Sequence, residues 1–341
     1  DGLPPALAVA LASELAARLR AGEPRPAALS VPTGGGVTRP VEAVYVNDAP
    51  WRQQPPDVTL HTGLTAEEGR VLGCQSLRDK LARECEVRAV EPAAGQEAGD
   101  PVGAVRQALQ DADNPLCGGL PPDLARRADS AGVTRMAFVL LEDARAAESL
   151  LDPRAAELQG AALYVCSDRP LLPGGAGARP GPAGCEDAHG ALTAMFRYCD
   201  CPQLLSDGVL HFFDFTRSFV IKSDSTARCR RFDMDKLRDN FPDAHTPFGI
   251  AELRSEFPVV FRLALRSMRS ELGLKVDVES VRAELRSAAA ASDKMLLFSR
   301  SLRSVEFREG SALLASQSAT LQDPEGYAAY VAALPASPSA P

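Results

Sequence analysis

The chain has no excess of positive charge. Lysine and arginine total 37 against 45 aspartates and glutamates, a formal net charge of -8 with a pI near 5.2. A chain of that sign is repelled by phosphate backbones and anionic lipid, so neither nucleic acid nor membrane is expected as a partner. No apolar run reaches the roughly 18 residues that a membrane-crossing helix needs. At the start, Asp1-Gly2-Leu3-Pro4-Pro5 carries neither an initiator Met nor a basic segment ahead of an apolar one. We therefore expect no signal peptide and a piece of a longer polypeptide. Only four histidines occur, at 61, 189, 211 and 245, and no G-x-S-x-G stretch accompanies them. The usual marks of serine and cysteine hydrolases are thus missing. The eight cysteines are scattered rather than framed, a pattern of reduced thiols that points to the cytoplasm.

What is present fits a folded chain. With 341 residues, 45% hydrophobic and 24% charged, the composition is that of two or three globular domains. Residues 4–20 read as an Ala/Leu-rich helix with Leu7, Leu11, Leu15 and Leu19 along one face. Proline and glycine break it between Gly22 and Gly36. A short strand is expected over 41–46. A helix should open at Thr65, where Thr65-Ala66-Glu67-Glu68 has the form of a capping box. Residues 88–102 have the composition of a linker, and 121–131 read as a helix. The run Met136-Ala137-Phe138-Val139-Leu140-Leu141 is continuous and apolar, as a buried strand is. Strands are expected again at 209–215 and 259–266. Asp277 is placed to cap a helix that turns Val278, Val281 and Leu285 to one side. Residues 169–184 form a Pro/Gly loop, and a frayed tail is expected over 335–341.

Several short blocks carry more information than periodicity. They are Asn47-Asp48-Ala49-Pro50-Trp51, Ser76-Leu77-Arg78-Asp79-Lys80-Leu81, Asp123-Leu124 through Asp129-Ser130-Ala131-Gly132, Glu148-Ser149-Leu150-Leu151-Asp152-Pro153 and Phe241-Pro242-Asp243. In order and spacing they resemble the repeats of the sacsin family over roughly residues 41–85 and 105–310. That resemblance implies an α/β (α+β) fold of the GHKL or Bergerat type, a two-layer α/β sandwich. It implies the following organisation: 1–90 as the tail of a preceding repeat, 91–103 as a linker, 104–221 as the ATPase-like domain, 222–334 as a further α/β segment and 335–341 as a tail.

The same resemblance implies a nucleotide site that has lost its chemistry. The family's general-base Glu falls at Asp123, and its magnesium-holding Asn falls at Arg127. A guanidinium has five donors and no acceptor, whereas magnesium demands oxygen ligands. The lid position, 191–197, lacks the glycines whose open backbone closes over phosphates. Arg127, Asp129, Asp168 and Asp200 would line the vestigial pocket, with no catalytic residue, no bound metal and no cofactor. The expected role is a chaperone-associated scaffold in protein quality control, with Hsp-seventy-type chaperones or client proteins as partners. The His-Pro-Asp tripeptide that recruits such chaperones does not occur in the chain. Two alternatives stand beside it: an active ATPase that binds ATP and magnesium, and a diverged paralogue fragment without selected activity.

Blander readings cover the other conspicuous residues. Cys185, His189, Cys199 and Cys201 supply four nitrogen and sulfur ligands, but their spacing is not that of a zinc finger; buried thiols are expected. Trp51 should be a packed aromatic with its N–H bonded. Arg300 and Arg303 should serve the surface or salt bridges rather than reach a phosphate. Phe138 and Leu163 should lie in the core.

Overall fold

A computed structural model describes residues 4–87, 132–144, 149–151, 158–170, 195–220, 229–248, 257–297, 299 and 301–319. The expected linker, the helix at 121–131, the Pro/Gly loop and the tail lie outside those residues.

The chain begins with helix α1 (Pro5–Arg20), which opens at a proline pair. The structure splits its expected face: Leu15 and Leu19 are half-buried against the small core around Val31, Val41 and Leu60, whereas Leu7 and Leu11 are not. Ala8, Ala12 and Ala16 are buried, while Leu7 and Leu11 stand 46% and 52% exposed. Both stripes repeat every four residues, so spacing alone cannot choose between them. The alanine side permits closer approach to strand β1 (Ser30–Pro32) and helix α2 (Ala66–Leu72). Strand β1 pairs with β2 (Thr38–Pro40). The segment 41–46 is a single 3-10 turn followed by the two-residue strand β3 (Tyr45–Val46), less extended than its pattern implied.

The capping box at Thr65 forms as expected. Its hydroxyl accepts from Glu68 N at 3.1 Å, and the Glu68 carboxylate accepts from Thr65 N at 2.7 Å. Gly73, at φ 94°, ends α2 in the left-handed conformation that glycine adopts without penalty. Strand β4 (Gln75–Ser76) then pairs in parallel with β3, and helix α3 (Leu77–Cys85) follows.

One eight-stranded sheet dominates the rest. Its strands are β5 (Arg135–Ala144), β6 (Gly160–Ser167), β7 (Gln203–Ser206), β8 (Val209–Phe213), β9 (Cys229–Asp233), β10 (Val259–Ala264), β11 (Ser304–Glu309) and β12 (Ala312–Ser318). They run in the order β12-β11-β5-β6-β10-β7-β8-β9, antiparallel throughout except for β11 beside β5. This is a mixed α+β architecture. Strands from either side of residue 221 interleave in it, so 104–221 and 222–334 share a single sheet.

Each face of the sheet has its own core. One gathers Phe138, Leu163, Phe261 and Phe307 beneath helix α5 (Val278–Ala290), which buries Val281 and Leu285 against them. Asp277 caps that helix, accepting from Ser280 N at 3.1 Å. Helix α6 (Ser292–Leu297) leads on to β11. Phe138 and Phe307 are register partners in β5 and β11 and stack with ring centroids 5.3 Å apart. The opposite face gathers Val139, Tyr164, Leu205, Phe212 and Phe232. There α3 packs beside helix α4 (Met234–Asn240), through Leu77, Leu81 and Ala82 against Met234 and Leu237. Among the described residues, therefore, helices flank both faces. The arrangement has more layers than a two-layer sandwich.

Candidate functional site

The three site residues on the expected nucleotide helix, Asp123, Arg127 and Asp129, lie outside the described residues. The other two are described, and each is engaged in holding the fold. Asp168 follows the last residue of β6 and reaches across to the start of β5. Its carboxylate accepts from the backbone N–H of Thr134 at 2.9 Å, from that of Arg135 at 3.1 Å, and from the Thr134 hydroxyl. Partial burial pushes its pKa up, but these hydrogen bonds outweigh burial and hold the carboxyl below its ordinary value.

Asp200 sits beyond the other end of the same strands. It pairs with Arg266 Nε at 2.6 Å and accepts from Ser270 Oγ at 2.9 Å. The rest of the Arg266 guanidinium is also used. Nη2 donates to Phe196 O at 2.7 Å and Cys199 O at 3.4 Å, and Nη1 to Leu274 O at 3.1 Å and Arg197 O at 3.3 Å. Leu265 N bonds Ala161 O, whereas Asp168 lies seven positions further along β6. At about 3.3 Å per residue the two aspartates stand on the order of 20 Å apart. The structure does not bring them into one pocket.

The cysteine pair is divided as well. Cys199 belongs to the core on the α5 face and Cys201 to the core on the α3 face. Burial raises both thiols above their ordinary pKa. No group of three metal-ligating side chains occurs among the described residues, and Cys185 and His189 lie outside them. Arg303 uses Nη1 on Leu302 O at 3.3 Å; Arg300 is not described.

Four of the five sequence blocks singled out above converge, at a junction between residues 45–87 and the large sheet, while residues 123–131 of the fifth lie outside the described residues. Asp48 is its hub on one side. Its side chain is 8% exposed and accepts from Arg70 Nη2 at 2.8 Å, Ser76 Oγ at 2.7 Å and Arg78 N at 3.1 Å. That fixes the first turn of α3 and aims Arg78 at the sheet unit. The buried Arg78 guanidinium donates to Ser149 O at 2.6 Å and to Leu151 O. Ser149 in turn donates through its N–H at 3.0 Å, and through its hydroxyl, to Asp243. Trp51 donates from Nε1 to Asn240 O at 2.8 Å and lays its ring 6.0 Å from Phe241. Arg52 reaches the Asn240 side-chain oxygen at 2.6 Å.

The end of α3 extends the same contact to the sheet edge. Val87 N bonds Arg231 O at 2.8 Å, and Glu86 pairs with Arg230 at 2.8 Å with both side chains largely buried. Charge-assisted bonds of this kind are worth roughly twice neutral ones. Trp51 has the expected bonded N–H, but its ring lies against Phe241 on one side only and stays 37% exposed. The roles of Asp48, Arg78, Ser149 and Asp243 were not readable from the sequence, although every one of them lies inside a quoted block.

A second arrangement had no sequence signal. Tyr164, Arg262, Gln203, Phe212 and Arg230 are successive register partners across β6, β10, β7, β8 and β9. Tyr164 Oη donates to Pro247 O at 2.7 Å. Arg262 is completely buried at the middle of this row, and its Nη2 donates to Ala144 O at 3.0 Å and Leu158 O at 2.8 Å.

No helix among the described residues is long and apolar enough to cross a membrane. Comparison of the chain with known protein families and with curated proteins finds no match, so the case for a functional site rests on the geometry of the junction and of the buried row.

Proposed function

We propose that this chain is a non-catalytic scaffold module of the sacsin type, acting in the cytoplasm with chaperones of the Hsp-seventy class or with their clients. One observation supports the reading above the others. Four of the sequence blocks that resemble the family meet in a load path of buried and part-buried hydrogen bonds running Asp48–Arg78–Ser149–Asp243, with Trp51 beside it. Residues spent on joining one folded segment to the next are what a scaffold of successive units requires. The engagement of Asp168 and Asp200 in structural bonds far from each other agrees with a pocket that no longer serves a nucleotide. Arg127 at the magnesium position points the same way.

The test is a thermal melt of the full chain with magnesium-ATP. A ligand that binds the native state must stabilise it by RT ln(1 + [L]/Kd). We expect no shift. A rise of several degrees that EDTA abolishes would replace the scaffold with a working ATPase. We also expect that Arg127→Asn alone restores no hydrolysis, measured as phosphate release, because lid and adenine loop have diverged too and catalytic parts fail non-additively.

A further inference from the structure

The two edges of the large sheet are finished differently. The outer side of β9 is met by the end of α3, where Val87 N bonds Arg231 O at 2.8 Å and Glu86 bridges Phe232. That strand also carries Arg230, Arg231 and Asp233. A covering segment and charged side chains are the usual means of keeping a sheet edge from pairing with another chain. Strand β12, at the other edge, has neither. Among the described residues it has a neighbour on one side only, β11. Residues 311–322 contain no charged side chain and no proline. The side chains of β12 are exposed or half-buried, and Leu313 stands 54% exposed.

The backbone of β12 is set to receive a further strand. Ala319 N bonds Arg303 O at 2.7 Å, whereas Ser304, the register partner of Ser318, turns its N–H to Thr134 O at 3.1 Å. Bonded and non-bonded pairs alternate along an antiparallel ladder. Ser318 and Ser316 therefore aim their N–H and C=O groups away from β11. The one irregularity, the extra residue Leu314 between Leu313 and Ala315, lies ahead of this regular stretch. An edge of this kind is a template for main-chain pairing.

Charge selects the strand that fits. Two copies of a chain with net charge -8 repel one another, so a contact between copies is best made where neither carries charge. The uncharged run that contains β12 meets that condition. Antiparallel pairing about a two-fold axis also sets the same strand against itself, so no like charges are brought face to face.

We propose that β12 pairs antiparallel with β12 of a second copy, joining two eight-stranded sheets into one across a two-fold axis. Because the β9 edge is already engaged by Glu86 and Val87, pairing closes at two copies and does not run on as a fibre. The contact is independent of the scaffold reading and of any nucleotide chemistry.

The experiment is sedimentation velocity on the full chain from about 1 to 200 μM, a range that brackets micromolar association. The expected wild-type result is a shift from monomer to dimer as concentration rises, with nothing larger. Ser316→Pro removes an outward N–H that the β11 ladder does not use. Ser316→Lys puts a cation on each of the two edges, opposite Glu306 of its own β11. Both variants should stay monomeric over the whole range with far-UV circular dichroism unchanged; if Ser316→Pro fails to fold, Ser316→Lys carries the test. Amide exchange at Ser316 and Ser318 should slow at high concentration in the wild type alone. A wild type that remains monomeric throughout would overturn the proposal. Dimers of Ser316→Lys as strong as those of the wild type would overturn it as well, by placing the contact elsewhere. So would slow exchange of the two amides in the monomer, which would show the edge paired within one chain.

Discussion

Arg262 and Arg266 stand four residues apart on one run of chain, and both are buried. Arg266, beyond the end of β10, has a carboxylate, Asp200, and four carbonyls, so every nitrogen is engaged. Arg262, in mid-strand, has two carbonyls and leaves two nitrogens without partners. The difference follows from position. A strand end meets loops, whose carbonyls point in many directions and can converge on a guanidinium. The middle of a sheet has already committed its backbone groups to the ladder, so Arg262 must reach past β6 to the carbonyls of Ala144 and Leu158. Two residues of one type, equally buried, thus hold unlike energetic positions.

The contrast is sharpest in substitution. Arg266→Met should cost about 3–5 kcal/mol in a denaturant melt, because it strands the buried Asp200 charge. A loss under 1 kcal/mol would show that Asp200 is solvated and that the pair is no lock. His211 offers an intermediate case, a half-buried group that can discard its charge. Burial, with help from Arg231, lowers its pKa from 6.5 to about 4. Below pH 6.5 the unfolded chain takes up a proton that the folded chain refuses until about pH 4. Stability must therefore fall with pH across that window, by up to about 3 kcal/mol at 1.36 kcal/mol per unit. His211→Gln should flatten this decline. An unchanged pH profile in that variant would assign the decline to other groups. The smallest effect belongs to Arg262→Met, which should stay within about 1 kcal/mol of the wild type, since removing a buried charge that has no carboxylate partner offsets the loss of its two carbonyl bonds. A loss matching that of Arg266→Met would erase the distinction between the two sites.

Much of the fold was legible where one periodicity dominated. The unbroken apolar run at 136–141 is the heart of β5, and Phe138 and Leu163 are buried as expected. The caps at Thr65 and Asp277 were readable because an N-cap is a local device with a local code. The α1 face was half legible: Leu15 and Leu19 pack as their stripe implied, but at Leu7 and Leu11 the alanine stripe of the same spacing takes the buried side, and only tertiary contact selects between them. Strands β7 and β9, four and five residues long, gave no signal; β9 carries two arginines, one of which faces a core. Arg262 and Arg266 were invisible as buried groups for the same reason. A charged residue inside a strand reads as a solvent-facing position until a partner across the sheet is known. The motif blocks were legible as words but not as contacts, since Asp48, Ser149 and Asp243 meet across nearly two hundred residues of chain.

The central claim is that the motif residues serve the junction, and the single tryptophan reports on it directly. Trp51 lies against Phe241 and bonds Asn240, so its fluorescence follows the docking of residues 45–87, while far-UV circular dichroism follows the sheet. Equilibrium unfolding of the full chain should give coincident transitions by the two probes. In Arg78→Ala, which removes two buried charge-assisted bonds worth roughly 1.5–3 kcal/mol each, the fluorescence transition should move to lower denaturant and separate from the dichroism. If Arg78→Ala leaves both transitions coincident and in place, the junction is not what these residues hold, and the scaffold account loses its main support.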